Sequence, residues 1–325
     1  MAARQGAPVL GVLCERPKDG KAPHKQKWEL GIGYRYLPSF RHFIGTVEQK
    51  ERETLGTQIR NNIHLFDVSI NYQLNKRWTL MASMPMVKQY RDQLYVPRGE
   101  VSYFSQGDAT VGARVWLFRP PTESSRNIGV GFALKAPTGR YNAMFAALDR
   151  NGKPIQATAD QSVQSGDGGT GFALDFNAYT PFWSRSWAYL QGVYLFNPRD
   201  TNGVSTFRTR SGETVMSVSD QYLLRGGITR PVPRMRRLAW SIGMRYEGVP
   251  VRDLIGASNG FRRPGYALSV DPGLLASWHG YSFSANAPWA VRRNRKRSVP
   301  DIANGTHGDA AFADYSVMLG VSKRF

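Results

Sequence analysis

Hydrophobic and polar side chains alternate along almost the whole of this chain. Between Trp28 and Tyr36 every even position is apolar or aromatic, whereas the odd positions include Glu29 and Arg35. A period of two places successive side chains on opposite faces of a β-strand. The pattern recurs in twelve segments, which begin near residues 28, 66, 78, 109, 128, 172, 187, 222, 238, 266, 281 and 315. The sequence therefore predicts an all-β chain.

The connections between these segments differ in length at the two ends. Short turns are predicted at residues 75–76, 120–126, 181–186, 231–237 and 279–280. Long loops are predicted at residues 42–62, 89–107, 138–168, 197–219, 249–264 and 291–312. Outer-membrane barrels have an even number of antiparallel strands, short periplasmic turns and long extracellular loops. We therefore predict a single 12-stranded antiparallel transmembrane β-barrel with both termini in the periplasm.

The apolar stripes support a barrel because each of them must be buried in something. No run of about 18 apolar residues is present, which excludes a transmembrane helix, and the mean hydropathy is −0.41. In hydrocarbon every backbone N–H and C=O needs a partner, which a closed barrel provides and an open sheet does not. Most tryptophans fall beside the short turns, as in the aromatic belt of a membrane barrel. A soluble β-sandwich is the alternative, but it does not explain this belt.

The charge and cysteine content exclude other classes. Lys and Arg number 43 against 24 Asp and Glu, a net charge of +19. Aromatic residues make up 12%, which argues against disorder. Cys14 is the single cysteine, so no disulfide is expected, and we interpret it as a small apolar residue. Residues 1–26 are polar and are predicted to be a periplasmic extension or a small plug, with residues 27–325 forming the barrel. No signal peptide is visible.

Three short stretches and the last residues resemble a known family. They are Gly107–Arg114, Gly131–Gly139, Gly166–Phe172 and a final strand that ends in Phe325. The first three are similar to outer-membrane barrels named for the MetA pathway of phenol degradation. The terminal Phe resembles the assembly signal of bacterial outer-membrane proteins. The resemblance implies localisation in the bacterial outer membrane and transport of hydrophobic or aromatic compounds.

Charged residues on the polar faces are the candidate functional residues. By parity they point into the barrel, where they would set ion selectivity, and the basic excess would favour anionic solutes. Alternatively, they pair across the lumen and fill it, or loops plug it. The predicted lumen residues are Arg35, Arg114, Lys135, Arg225, Arg245, Glu29, Asp67, Asp175, Glu247 and Asp271.

A basic run near the C-terminus is predicted to form a surface cluster in a long loop. Such runs often bind nucleic acid, but on an outer-membrane barrel lipopolysaccharide phosphates or an anionic partner protein are the better expectation. We therefore expect no nucleic-acid partner. The residues of this run are Arg292, Arg293, Arg295, Lys296 and Arg297. A second basic group, Arg230, Arg234, Arg236 and Arg237, lies at the short-turn end.

The sequence offers little for catalysis or metal binding. Of the five histidines only His64 falls in a predicted strand, and no Ser or acidic motif accompanies it. No two histidines stand at ligand spacing, and Asp160, Asp167 and Asp175 do not match a calcium loop. We expect no enzyme activity, no metal and no cofactor. The predicted function is an outer-membrane channel or transporter for small solutes, and the alternative is a non-transporting scaffold in an envelope complex.

Overall fold

The computed structural model describes residues 27–121 and 123–325. The predicted N-terminal extension, residues 1–26 with Cys14, lies outside the described residues. Twelve antiparallel strands form one sheet that closes on itself, because β1 pairs both with β2 and with the last strand. In chain order the strands are β1 (Trp28–Ile44), β2 (Ile59–Gln73), β3 (Trp78–Gln93), β4 (Gly99–Gln106 and Thr110–Trp116), β5 (Asn127–Lys135), β6 (Gly171–Pro181), β7 (Trp187–Phe196), β8 (Gln221–Val232), β9 (Met235–Val249), β10 (Gly265–Val270 and Gly273–Trp278), β11 (Tyr281–Asn286 and Trp289–Arg295) and β12 (Ala310–Ala313 and Val317–Arg324).

The predicted 12-stranded barrel is therefore confirmed, and the register shows how it closes. Leu30 of β1 lies opposite Ile70 of β2 on one side and opposite Lys323 of β12 on the other. At the end of the chain, the backbone N–H of Phe325 donates to the carbonyl of Trp28, and the N–H of Trp28 donates back. Each of the twelve barrel strands is consequently paired with a neighbour on both sides over at least part of its length, which closes the barrel.

The strands extend further toward the long-loop end than the sequence predicted. Residues 89–107 were expected to be a loop, but β3 continues to Gln93 and β4 begins at Gly99. Similarly, β2 already begins at Ile59 and β11 continues to Arg295. The backbone pairs beyond the regular apolar stripes, where outward apolar side chains such as Phe104 and Val291 are interspersed with polar ones and period two no longer marks the strand.

The long-loop end carries small elements of its own. They are a two-residue strand (Val47–Glu48), helical turns at Glu51–Thr54, Gln161–Val163 and Val299–Ala303, and two hairpins (Met144–Leu148 with Pro154–Thr158, and Thr201–Ser205 with Val215–Ser217). The last helical turn begins with a capping box between Ser298 and Asp301. Among the described residues, no helix is long and apolar enough to cross a membrane.

The two faces of the barrel differ as the alternation predicted. On β1 and β2 the outward side chains Leu30, Ile32 and Val68 are exposed, whereas Arg35 and Asp67 face inward and are buried. The tryptophans Trp28, Trp78, Trp183 and Trp278 are exposed at the short-turn end. An exposed apolar band on a closed barrel indicates that the outer surface contacts lipid rather than water.

The exposed apolar band leads to a prediction about the stability of the barrel in lipid. Val68 is 44% exposed in the middle of the apolar stripe of β2. We expect Val68→Arg to lower the free energy of unfolding in lipid vesicles by about 2–4 kcal/mol, because a cation at mid-membrane faces hydrocarbon. Val47→Arg is the matched control, since Val47 is 65% exposed but lies beyond the stripe at the long-loop end. Equal losses in the two variants, measured by denaturant titration, would contradict a membrane-embedded band.

Candidate functional site

The middle of the barrel holds a group of three charged side chains from opposite parts of the wall. Arg35 of β1 donates through Nη2 to Oε1 of Glu247 on β9 at 2.7 Å. Arg245, two residues before Glu247, donates through Nη2 to the other carboxylate oxygen at 2.9 Å. Arg245 is completely buried. We call Arg35, Arg245 and Glu247 the central triad, and it links β1 to β9 across the interior.

A second ion pair lies beside the triad. The guanidinium of Arg225 on β8 lies 2.6 Å from a carboxylate oxygen of Asp271, in the break between the two segments of β10. Both side chains are buried, and the Arg225 guanidinium lies 5.2 Å from the ring centre of Tyr189. A Cβ atom at Gly243 would lie 2.7 Å from Oη of Tyr189, so glycine makes room for the inward tyrosine. Aromatic and charged side chains thus pack together at this level.

The remaining predicted lumen residues also lie in ion pairs or are buried. Arg114 on β4 donates through Nε to Oδ1 of Asp175 on β6 at 3.0 Å. Near the short-turn end, Arg324 donates to Glu29 at 2.6 Å. Toward the long loops, Lys135 pairs with Asp167 and lies 3.8 Å from Asp108. Asp67 is buried on the inner face of β2.

These positions bear on the two alternatives that the sequence left open. Each predicted lumen residue lies on an inward-facing position or next to one, and nine of them are seen in ion pairs with carboxylates or guanidiniums. The predicted charges are thus paired in this structure rather than arranged as a ring of free arginines. Most pairs join residues on the same strand or on strands one or two apart in the wall, whereas Arg35–Glu247 joins β1 to β9. The role of these residues in ion selectivity stays a prediction.

The basic run near the C-terminus is divided by strand alternation and is not one surface patch. Arg293 and Arg295 lie on the inner face of β11, where they are buried and pair with Asp314 and Asp301. Arg297 donates to backbone carbonyls of the following loop. Only Arg292 and Lys296 are exposed. The sequence suggested a loop here, whereas β11 continues to Arg295 and its period of two turns alternate residues inward.

The loop between β5 and β6, residues 136–170, folds across the mouth of the barrel, and we call it the lid loop. Its side chains Ala143, Phe145 and Val163 pack with Val101, an inward residue of β4, in a small apolar cluster. Ser165 of the lid loop is hydrogen-bonded to Ser105 of β4. Apolar burial and hydrogen bonds both hold the lid loop against the inner wall.

A single carboxylate of the lid loop joins it to three other elements. Asp160 is buried and accepts two hydrogen bonds from Arg263, at 2.8 Å each. Arg208 donates to the same carboxylate at 3.2 Å, and Arg91 of β3 lies 3.6 Å from it. Arg208 belongs to the loop after β7 and Arg263 to the loop after β9. Asp160 therefore connects three loops and the wall.

Arginine charges control the ionisation of Asp160. Burial alone would raise the pKa of this carboxyl, but the positive charges of Arg263, Arg91 and Arg208 hold it well below its usual range. The sequence suggested Asp160 only as a calcium ligand of a loop that it does not match, and its pairing with three arginines was not predicted. No local signal marks it, since its three partners are distant in the sequence. Among the described residues, no group of three His, Cys, Asp or Glu is placed to hold a metal ion.

A cavity of about 400 Å³ lies between the central triad and the lid loop. Arg35 and Glu247 line it on the side of the triad, and Ser162, Arg208 and Arg263 line it on the side of the loops. Further wall residues are Leu37, His42, Arg52, Ile59, Ile63, Arg91, Tyr95, Tyr222, Tyr266, Asp309 and Asp314. The cavity is thus a polar and partly apolar chamber of small-molecule size inside the barrel.

The histidines near this chamber do not form a catalytic group. His42 contacts Asp309 through Nδ1 at 2.7 Å, and its Nε2 accepts a hydrogen bond from the backbone N–H of Ile59 at 3.2 Å. Both ring nitrogens of His42 are therefore engaged, which leaves no general base. His64 is hydrogen-bonded to Tyr34 on the outward side of β1 and β2.

Comparisons with known proteins agree with this architecture. No family model matches the chain, and no curated protein matches it. Among solved structures, an outer membrane channel from Pseudomonas putida F1 is similar, with 13% identity, a TM-score of 0.62, and coverage of 96% of this chain and 100% of that chain. The chain has the fold of an outer-membrane channel.

Two further structures overlap less. The beta domain of the Bordetella autotransporter BrkA has 11% identity and a TM-score of 0.49, over 92% of this chain and 100% of that chain. The toluene transporter TodX from Pseudomonas putida has 10% identity and a TM-score of 0.45, over 96% of this chain and 91% of that chain.

Proposed function

We propose that the protein is an outer-membrane channel or transporter for small solutes. The observation that carries the proposal is a closed barrel with an exposed apolar band outside and a polar chamber of about 400 Å³ inside. A band of this kind places the protein in a bilayer, and a closed barrel with a chamber provides a route through it. The fold shared with an outer membrane channel supports the same function. We further propose that the long-loop end faces the cell exterior.

We propose that this route has two barriers. Toward the exterior, the lid loop and the cluster around Asp160 cover the chamber. Toward the short-turn end, the central triad and the Arg225–Asp271 pair fill the interior with buried side chains. A solute passes only when these groups move, so the proposed channel is gated and narrow rather than a wide pore. Small solutes, hydrophobic or anionic, suit such a chamber.

The outward basic residues suggest a lipid contact. Arg292 and Lys296 are exposed on or just beyond the end of β11, at the long-loop end. If this end faces the exterior, both side chains reach the level of lipopolysaccharide headgroups, whose phosphates pair with cations. We propose lipopolysaccharide as the anionic partner of this surface.

The function is tested with the refolded chain in a planar lipid bilayer and in liposomes. We expect small, discrete conductance steps in the bilayer, with a reversal potential that reports the sign of the preferred ion. We also expect uptake of small solutes in liposome swelling assays. A protein that inserts but neither conducts nor admits solutes would contradict the channel and would favour the scaffold. Failure to insert would contradict the membrane barrel itself.

A further inference from the structure

The cluster around Asp160 has hydrogen-bond donors without acceptors. Arg91 is only 2% exposed, and its Nε and Nη1 donate to Gln93, Asn61 and Ser162, whereas its Nη2 is buried with no hydrogen-bond partner. Arg208 donates to Asp160 through Nη2, and its Nη1 is likewise buried without a partner. A buried donor without an acceptor is costly and rare in native proteins. Both arginines line the chamber.

The cluster also lacks negative charge. One carboxylate, Asp160, faces the three guanidiniums of Arg91, Arg208 and Arg263. The other carboxylates of the chamber have their own partners: Asp309 contacts Arg52 and His42, Asp314 pairs with Arg41 and Arg293, and Glu247 belongs to the central triad. Burial lowers the pKa of Arg208, and Asp160 only partly offsets this effect. An anion next to Arg91 and Arg208 would supply both the missing hydrogen-bond acceptors and the missing negative charge.

Aromatic rings hold the arginines in place. The guanidinium of Arg208 lies 3.4 Å from the ring centre of Phe261 and 4.5 Å from that of Phe207. The guanidinium of Arg263 lies 4.7 Å from Phe261. Stacked guanidiniums keep their flat, two-pronged geometry, which matches a carboxylate. The donors are therefore preorganised rather than free to turn into solvent.

The remaining wall is suited to an apolar body. Leu37, Ile59, Ile63 and Tyr95 line the same chamber as the two arginines. A purely inorganic anion would leave this apolar wall unused, whereas an organic acid would cover it. The volume of about 400 Å³ accommodates a small molecule but not a polymer.

We propose that this chamber binds a small organic carboxylate, with its carboxylate beside the guanidiniums of Arg91 and Arg208 and its apolar body against Leu37, Ile59 and Ile63. The proposal rests on the proposed function and names the class of solute. The site lies between the lid loop and the central triad, so that a bound acid occupies the route through the barrel.

Binding is tested by titration calorimetry on the full chain, purified in detergent, with benzoate as the probe. Toluene is the neutral comparison, because it replaces the carboxylate with a methyl group, and inorganic phosphate is the comparison without an apolar body. We expect saturable binding of benzoate, and weaker binding of the other two. Equal binding of toluene would overturn the role of the arginines. Equal binding of phosphate would overturn the organic carboxylate.

The decisive variant is Arg208→Gln. It removes one charge-assisted donor while Arg91 and Arg263 still face Asp160, and we expect benzoate binding to weaken about tenfold to a hundredfold. Arg150→Gln is the matched control, because Arg150 is exposed at the tip of the lid loop. Unchanged binding in Arg208→Gln, or an equal loss in Arg150→Gln, would overturn the site. If Arg208→Gln does not fold, Arg208→Lys is the alternative variant, because it keeps the positive charge next to Asp160. It should still weaken benzoate binding, because lysine lacks the planar guanidinium that donates two parallel hydrogen bonds to a carboxylate.

Transport assays separate this site from the proposed function. If Arg208→Gln admits solutes into liposomes and binds benzoate with unchanged affinity, the proposed channel is supported and the proposed binding site is contradicted. Saturable binding of benzoate that Arg208→Gln weakens, without any uptake or conductance, would leave the site standing and contradict the channel.

Discussion

Replacing Asp160 by Asn is expected to open the mouth of the barrel. The side chain of Asp160 is completely buried, and its charge holds Arg91, Arg208 and Arg263 together. Removal of one partner from a buried ion cluster costs about 3–5 kcal/mol, because the remaining charges stay unpaired. A loss of about 3 kcal/mol raises the population of an open lid loop roughly a hundredfold. We therefore expect higher conductance and faster tryptic cleavage in the lid loop at Arg150.

The matched control for this variant is Asp149→Asn, in the same loop. Asp149 accepts hydrogen bonds from the backbone N–H groups of Asn151 and Lys153, which an Asn oxygen also accepts. Its replacement should leave conductance and the cleavage rate close to wild type. If Asp160→Asn behaves like Asp149→Asn, the arginine cluster does not hold the lid loop closed.

The same contact has a defined pH dependence. The pKa of Asp160 is lowered in the folded chain, so its contribution to stability is present above the ordinary aspartate pKa of about 4. That contribution is lost only as the pH falls through the lowered, folded pKa. We expect the lid loop of the wild type to resist trypsin after incubation at pH 5 as well as at pH 7. Opening at pH 5 would contradict the strong pairing of Asp160.

Replacing Glu247 by Gln is expected to change both the stability and the ion preference of the barrel. Glu247 is the carboxylate of the central triad, and Arg35 and Arg245 donate to its two oxygens. Without it, two buried guanidiniums face each other, which costs about 3–5 kcal/mol in free energy of unfolding. The interior also gains positive charge. In a bilayer with a salt gradient, the reversal potential should shift toward anions.

Glu100→Gln is the matched control, since Glu100 is exposed on β4 and faces away from the interior. It makes the same chemical change outside the proposed route and should leave the reversal potential unchanged. A wild-type reversal potential in Glu247→Gln, with conductance retained, would show that ions do not pass the central triad. The predicted selectivity role of Arg35 and Arg245 would then be wrong.

The two barriers differ in what their release should allow. Loss of the contacts between Asp160 and the arginines exposes the chamber to the exterior but leaves the central triad in place. Release of Glu247 loosens the interior below the chamber but leaves the lid loop closed. The Asp160→Asn and Glu247→Gln double variant should therefore conduct more than either single variant. The sites lie in different elements, and their effects on stability should add to within about 0.5 kcal/mol if they do not interact.

Some of the candidate site was accessible to sequence reasoning. The parity that sets Leu30 outward also sets Arg35 inward, so the inward position of the predicted charges followed from period two alone. The prediction for the basic run at Arg292–Arg297 was wrong because this run has no alternation of apolar and polar residues. Its residues are polar at every position, so nothing in the pattern showed that β11 continues through it and buries Arg293 and Arg295.

The sequence by itself determined the barrel, its twelve strands and the facing of side chains wherever apolar and polar residues alternate cleanly. These properties depend on local alternation and on the need to pair every backbone group in lipid. Only the tertiary structure decided which charges meet. Arg35 and Glu247 are 212 residues apart, and Arg263 and Asp160 are 103 residues apart. Such contacts depend on strand register around a closed barrel and on loops that fold inward, and neither leaves a periodic trace in the chain.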